Sequence, residues 1–135
     1  MRRIVLLSLL VLAPGAAFAQ APAPCSDAPN QMAAGACVSD RLDRANADLN
    51  RVYGVLKAKL DANGQHNLLE AQRAWLTFRD KECSLRTGAD PANPDADGTI
   101  GPMLVGECLT GLTLQRTRDL QAQVRCPGGD LSCSP

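Results

Sequence analysis

Six cysteines, one histidine and a scatter of carboxylates are the residues of this 135-residue chain with chemistry to offer. Their spacing narrows that chemistry. The cysteines are Cys25, Cys37, Cys83, Cys108, Cys126 and Cys133, and no two of them form a Cys-x-x-Cys pair. That pair is the mark of a redox dithiol or a thiolate metal site. An even set in a small chain reads instead as three disulfides. Four of the cysteines, Cys25, Cys37, Cys83 and Cys108, allow three pairings, and sequence does not choose among them. A Cys126–Cys133 bridge would close a small local loop. His66 is the lone histidine, which excludes multi-histidine metal sites. No serine or cysteine stands near it in the strained turn that a nucleophile needs. Asp48, Glu70, Asp80, Glu82 and Glu107 offer the paired carboxylates of a glycosidase. They lie among arginines, however, where ion pairing accounts for them. The expectation is a protein with no catalytic residues and no cofactor.

One stretch resembles a cation loop. Asn93-Pro94-Asp95-Ala96-Asp97-Gly98-Thr99-Ile100 has oxygen donors at positions one, three and five, and glycine at six. The twelfth position is Leu104, where a bidentate glutamate belongs. The stretch therefore reads as an acidic, turn-rich loop, and no metal site is expected.

The elements that would position these residues follow from composition and periodicity. The chain is a single small domain, 45% hydrophobic, with equal numbers of acidic and basic side chains. Met1-Arg2-Arg3, the apolar run Ile4–Leu12 and Ala17-Phe18-Ala19 read as a cleaved export signal over residues 1–19. The apolar run is too short to span a bilayer, which takes ~20 residues. The expected location is periplasmic or secreted, where disulfides persist. Cys25 follows Pro24 and no apolar run, so it reads as a bridge cysteine and not a lipid anchor. Without the signal the chain is slightly acidic and keeps only Tyr53, Trp75 and Phe78 as aromatics. Neither nucleic acid nor stable membrane insertion is expected.

Residues 20–30 form a Pro- and Ala-rich flexible leader. Asn30 is placed to cap a first helix starting at Gln31. Val38, Leu42, Ala45, Leu49, Val52, Leu56 and Leu60 form its apolar stripe. Asp61 to Gly64 should end it, with Gly64 at positive φ. A second helix over about Gln65–Arg86 carries Leu68, Leu69, Trp75, Leu76, Phe78 and Cys83. The short link predicts antiparallel packing of the first two helices on each other. A third helix should start at an N-cap Thr99, with Pro102 in its first turn. Its stripe is Leu104, Val105, Cys108, Leu109, Leu112, Arg116, Leu120 and Val124. The helical domain spans 31–125, and 126–135 is a disulfide-closed tail. The fold class is all-α, a small disulfide-stapled antiparallel three-helix bundle. Cys25, Cys37, Cys83 and Cys108 map to one end of it. On the facing helices, Asp48 should pair with Arg79, and Trp75 with Arg79 four residues on should stack.

Three segments together carry a resemblance. They are Ala47-Asp48-Leu49-Asn50 with Tyr53, then Ala71-Gln72-Arg73-Ala74-Trp75-Leu76-Thr77-Phe78-Arg79-Asp80 with Cys83, and Cys108-Leu109 with Leu112-Thr113, Arg116 and Leu120. Over residues 25 to 124 the chain resembles the LprI-like lysozyme-inhibitor domain family of exported bacterial proteins. The resemblance implies an exported, non-enzymatic binding protein whose partner is a protein, c-type lysozyme. Asp48, Tyr53, Trp75, Arg79 and Arg116 read as structural. Asp90, Asp95 and Asp97, on the loop before the third helix, are the candidate partner contacts. The alternative is a periplasmic structural or adaptor protein that binds another envelope component.

Overall fold

The computed structural model describes residues 24–90, 92–93 and 98–126. A short 3-10 turn, Cys25–Asp27, precedes three helices: α1 Gln31–Lys59, α2 Ala62–Thr87 and α3 Gly101–Arg125. No strand is present among the described residues. Asn30 caps α1 as its residue type predicts, accepting from the Ala33 N–H at 2.9 Å. Lys57 and Lys59 sit in the last turn of α1, where cations oppose the negative end of the helix dipole.

The first turn of the bundle is tighter than the sequence suggests. Only Leu60 and Asp61 separate α1 from α2. Asp61 caps α2, accepting from the Gly64 N–H at 2.8 Å. Gly64 therefore lies inside α2 and not at a left-handed helix end. Its lack of a side chain serves packing: a Cβ there would sit 3.1 Å from Leu60 Cβ. The left-handed glycines among the described residues are Gly88, which ends α2, and Gly98. The N-cap position of α3 is Ile100, not Thr99. The Thr99 hydroxyl is engaged across the fold instead, accepting from Gln31 Nε2 at 2.6 Å. Pro102 lies in the first turn of α3, and Cys126 ends the helix, both as expected.

The helices alternate up, down and up, but the main interface is not between α1 and α2. α1 packs along α3, the two running parallel, while α2 lies antiparallel on α3 and scarcely touches α1. Three contacts mark the parallel register: Gln31 to Thr99, Arg41 to Glu107 at 3.1 Å, and Lys59 Nζ donating to the Val124 carbonyl at 3.0 Å. The buried face of α3 explains this arrangement. It is Gly101, Gly106, Thr110, Thr113, Thr117 and Leu120; of the apolar stripe only Leu120 belongs to it, while Val105, Cys108, Leu109, Leu112, Arg116 and Val124 are half-buried. Leu104 is 49% exposed. A Cβ on Gly106 would lie 2.5 Å from Val38 Cγ1, so glycine is what allows α1 this close. Thr110 and Thr117 bury their hydroxyls at little cost because each donates to the carbonyl one turn back, Gly106 O at 2.8 Å and Thr113 O at 2.9 Å.

The apolar core is Leu49, Val52, Leu56, Leu68 and Leu120, with Tyr53, Leu60, Trp75 and Val124 around it. α1 follows its predicted stripe closely. α2 does not: of its expected apolar residues only Leu68 and Cys83 are buried. Disulfides Cys25–Cys37 and Cys83–Cys108 staple one end of the bundle, each with Cα atoms 5.6 Å apart. The first ties a buried Cys25 to α1, and the second ties the end of α2 to α3. Cys126 is also disulfide-bonded. Cys133 lies outside the described residues.

Candidate functional site

Trp75 stands half-buried on α2, between two guanidinium groups. Arg79 Cζ lies 5.3 Å from the ring centroid and Arg116 Cζ, reaching over from α3, lies 5.9 Å away. The Trp75–Arg79 stack follows from their four-residue spacing. Arg79 does more than stack. Its side chain is only 14% exposed and forms an ion pair with Asp80 at 2.9 Å. Its Nη1 also donates to Thr113 Oγ1 at 3.3 Å and to Asn46 Oδ1 at 3.5 Å. One side chain thus links all three helices. Arg116 Nε donates to Gln72 Oε1 at 3.2 Å. Burial lowers the Arg116 pKa, and the negative charge of Asp119 opposes that shift.

The expected Asp48–Arg79 ion pair does not form. Asp48 pairs with Arg51 on its own helix at 3.1 Å, largely in solvent. Asn46 takes the position opposite Arg79. The cause is the weak α1–α2 packing: the register that a short link implies holds only where two helices press together.

Where α1 and α2 stand apart they leave a groove of about 520 Å3. Asn46, Leu49 and Tyr53 line it from α1, and Gln72, Leu76 and Arg79 from α2. The first two segments of the recognised pattern meet here. The sequence places Leu49 and Leu76 on apolar helix faces and does not predict the groove. The missing signal was the threonine–glycine face of α3, which draws α1 away from α2. The groove offers amides, a phenol and guanidinium donors beside leucine surface. That suits polar and apolar recognition of a protein surface and provides no nucleophile with a base.

The carboxylates weighed as a glycosidase pair are each held by an arginine. Glu70 pairs with Arg73 at 2.8 Å, Glu82 with Arg86 at 2.7 Å and Glu107 with Arg41 at 3.1 Å. Asp48 and Asp80 are paired as above. His66 is exposed near the start of α2. Among the described residues, no group of three or more His, Cys, Asp or Glu side chains could hold a metal ion. Of the loop aspartates, Asp90 is exposed at the disulfide-stapled end, where its Oδ1 accepts from the Ala92 N–H at 2.9 Å. Asp95 and Asp97 lie outside the described residues.

Comparison with known proteins decides the family. Residues 23–120 match the family model described as Lysozyme inhibitor LprI. The chain belongs to the LprI family. The match takes in all three helices up to Leu120 and both disulfides of the stapled end. One relative, the uncharacterized protein R02472 of Rhizobium meliloti (strain 1021), is 34% identical over 85% of this chain and 89% of its own length. Another, the uncharacterized protein YecT of Escherichia coli (strain K12), is 33% identical over 63% of this chain and 59% of its own. No solved structure gives a significant match. In this LprI-family chain the Trp75 cluster and the α1–α2 groove both lie within the matched span.

Proposed function

We propose that this LprI-family protein is exported and acts, without catalysis, as an inhibitor of c-type lysozyme. The observation that carries the reading is the family match over residues 23–120. Charge supports it. From Thr87 to Ile100 the chain has Asp90, Asp95 and Asp97 and no basic residue, and c-type lysozymes are strongly basic. The loop leaves α2 four residues after Cys83 and enters α3 seven residues before Cys108, so a disulfide ties together the two helices that carry it. An acidic loop steers a basic partner toward itself. Residues 1–19 supply the export signal in this reading. Among the described residues, no helix is long and apolar enough to cross a membrane.

The test is a binding titration of the mature chain, residues 20–135, against a c-type lysozyme at low and high salt. Affinity should fall with salt, because exposed charges are screened beyond ~8 Å at physiological ionic strength. An Asp90→Ala, Asp95→Ala, Asp97→Ala triple variant should bind more weakly and with a flatter salt dependence. A triple variant that binds and inhibits as well as wild type would remove the loop from the interface.

A second reading rests on α2. Its outer side leaves Phe78 53% and Leu85 78% exposed, seven residues apart on one face. An adaptor that binds another envelope protein through this face would use that surface and be indifferent to lysozyme.

A further inference from the structure

A cation stands beside one of the two stapling disulfides. Arg41 Nη1 lies 3.6 Å from Cys25 Sγ, and the same nitrogen donates to Glu107 Oε1 at 3.1 Å. The ion pair joins α1 to α3, and the contact with sulfur is additional to it. A guanidinium beside a sulfur favours negative charge on that atom. A disulfide sulfur carries no such charge. It gains one only when the S–S bond breaks.

The two halves of this bridge differ in access. Cys25 is 4% exposed, while Cys37, on α1, is half-buried. A thiolate opens a disulfide by attacking one sulfur while the other departs as a thiolate. Access and the stability of the departing thiolate choose between the two. Both favour the same direction here: attack on Cys37, with Cys25 departing beside Arg41. The other bridge is placed differently. Cys83 is 0% exposed, and its bridge joins α2 to α3. Cys25 belongs to the short turn Cys25–Asp27, whose packing is against α1. Opening the first bridge frees a turn, and opening the second loosens a helix.

We infer that Cys37 is a site of reversible S-thiolation by a low-molecular-weight thiol. The incoming thiolate sulfur bonds to Cys37 Sγ and the Cys25–Cys37 bond breaks. Its electron pair leaves on Cys25 as a thiolate beside Arg41. One disulfide is exchanged for another, so the step consumes no oxidant or reductant. Cys25 stays tethered 12 residues from Cys37. Its attack on the Cys37 adduct restores the bridge and expels the thiol. Glu107 tempers the forward step, because its carboxylate offsets part of the charge that Arg41 presents to sulfur.

The test is a brief exposure of oxidised residues 20–135 to 2-mercaptoethanol, an acid quench, and mass spectrometry that assigns each adduct to a cysteine. Within the stapled end, the first adduct should be on Cys37, with Cys25 as a free thiol and Cys83–Cys108 intact. Arg41→Gln should slow its formation about two- to fivefold, and Glu107→Gln should speed it by a similar factor. The opposite signs separate chemistry from packing. If the ion pair only held α1 to α3, losing either partner would shift the rate in the same direction. A first adduct on Cys25, Cys83 or Cys108 would overturn the inference, as would an Arg41→Gln rate no slower than wild type or a Glu107→Gln rate no faster.

Discussion

Arg79 shows how one side chain can be placed correctly on its own helix and wrongly across the fold. Its stack on Trp75 depends only on positions four apart on α2, and helical periodicity gives that directly. Its bonds to Asn46 and Thr113 depend on how three helices pack, which no local rule supplies. Removing it leaves Asn46 and Thr113 without their shared donor and takes a cation from the Trp75 ring. Arg79→Ala should therefore cost about 2–3 kcal/mol in denaturant unfolding. Asp48→Ala, at an exposed intrahelical pair, should change stability by no more than about 0.5 kcal/mol. A double-mutant cycle should find Asp48 and Arg79 additive and Asn46 and Arg79 coupled. The reverse pattern would restore the Asp48–Arg79 pair.

α1 and α3 differ in how openly their sequences declare their buried faces. α1 buries valines and leucines at helical spacing, and its stripe, its Asn30 cap and most of its length were legible. α3 buries two glycines and three threonines ahead of Leu120. A reading that searches for apolar side chains passes over such a seam, because its value lies in the closeness it permits. Gly106→Ala tests this. The added methyl collides with Val38, a branched side chain with little freedom to move. The variant should lose about 1–3 kcal/mol although alanine is the better helix former. A gain in stability would show that α1 and α3 are not in close contact there. The disulfides make a second prediction for the elements. The Cys83–Cys108 loop spans 25 residues against 12 for Cys25–Cys37. Chain entropy then gives it roughly 3.5 against roughly 3 kcal/mol. The gap should be wider in practice, because α2 has little other packing to hold it. In a Cys83→Ala, Cys108→Ala variant, hydrogen exchange should rise across α2 while α1 and α3 stay protected. Uniform loss of protection would contradict a loosely held α2.

For the molecule as a whole, α1 and α3 form a parallel spine with α2 hung along it. This leaves a groove along α1 and α2. The all-helical fold, the stapled end and the family were legible in the sequence. The helix pairing was not, and the groove follows from the pairing. The candidate loop was legible as charge, since Asp90, Asp95 and Asp97 have no basic neighbour between Thr87 and Ile100. The paired state of the helix carboxylates adds to its weight. With Glu70, Glu82 and Glu107 each held by an arginine, the loop is the main run of acid with no basic residue beside it in the sequence. The most direct measurement is a cell-wall lysis assay, with oxidised residues 20–135 titrated against a c-type lysozyme beside a reduced and alkylated control. Near-stoichiometric inhibition by the oxidised form alone, weakening as salt rises, is the expected result. Undiminished lysis at a large molar excess of the oxidised protein would contradict it and leave the LprI assignment as a statement about fold.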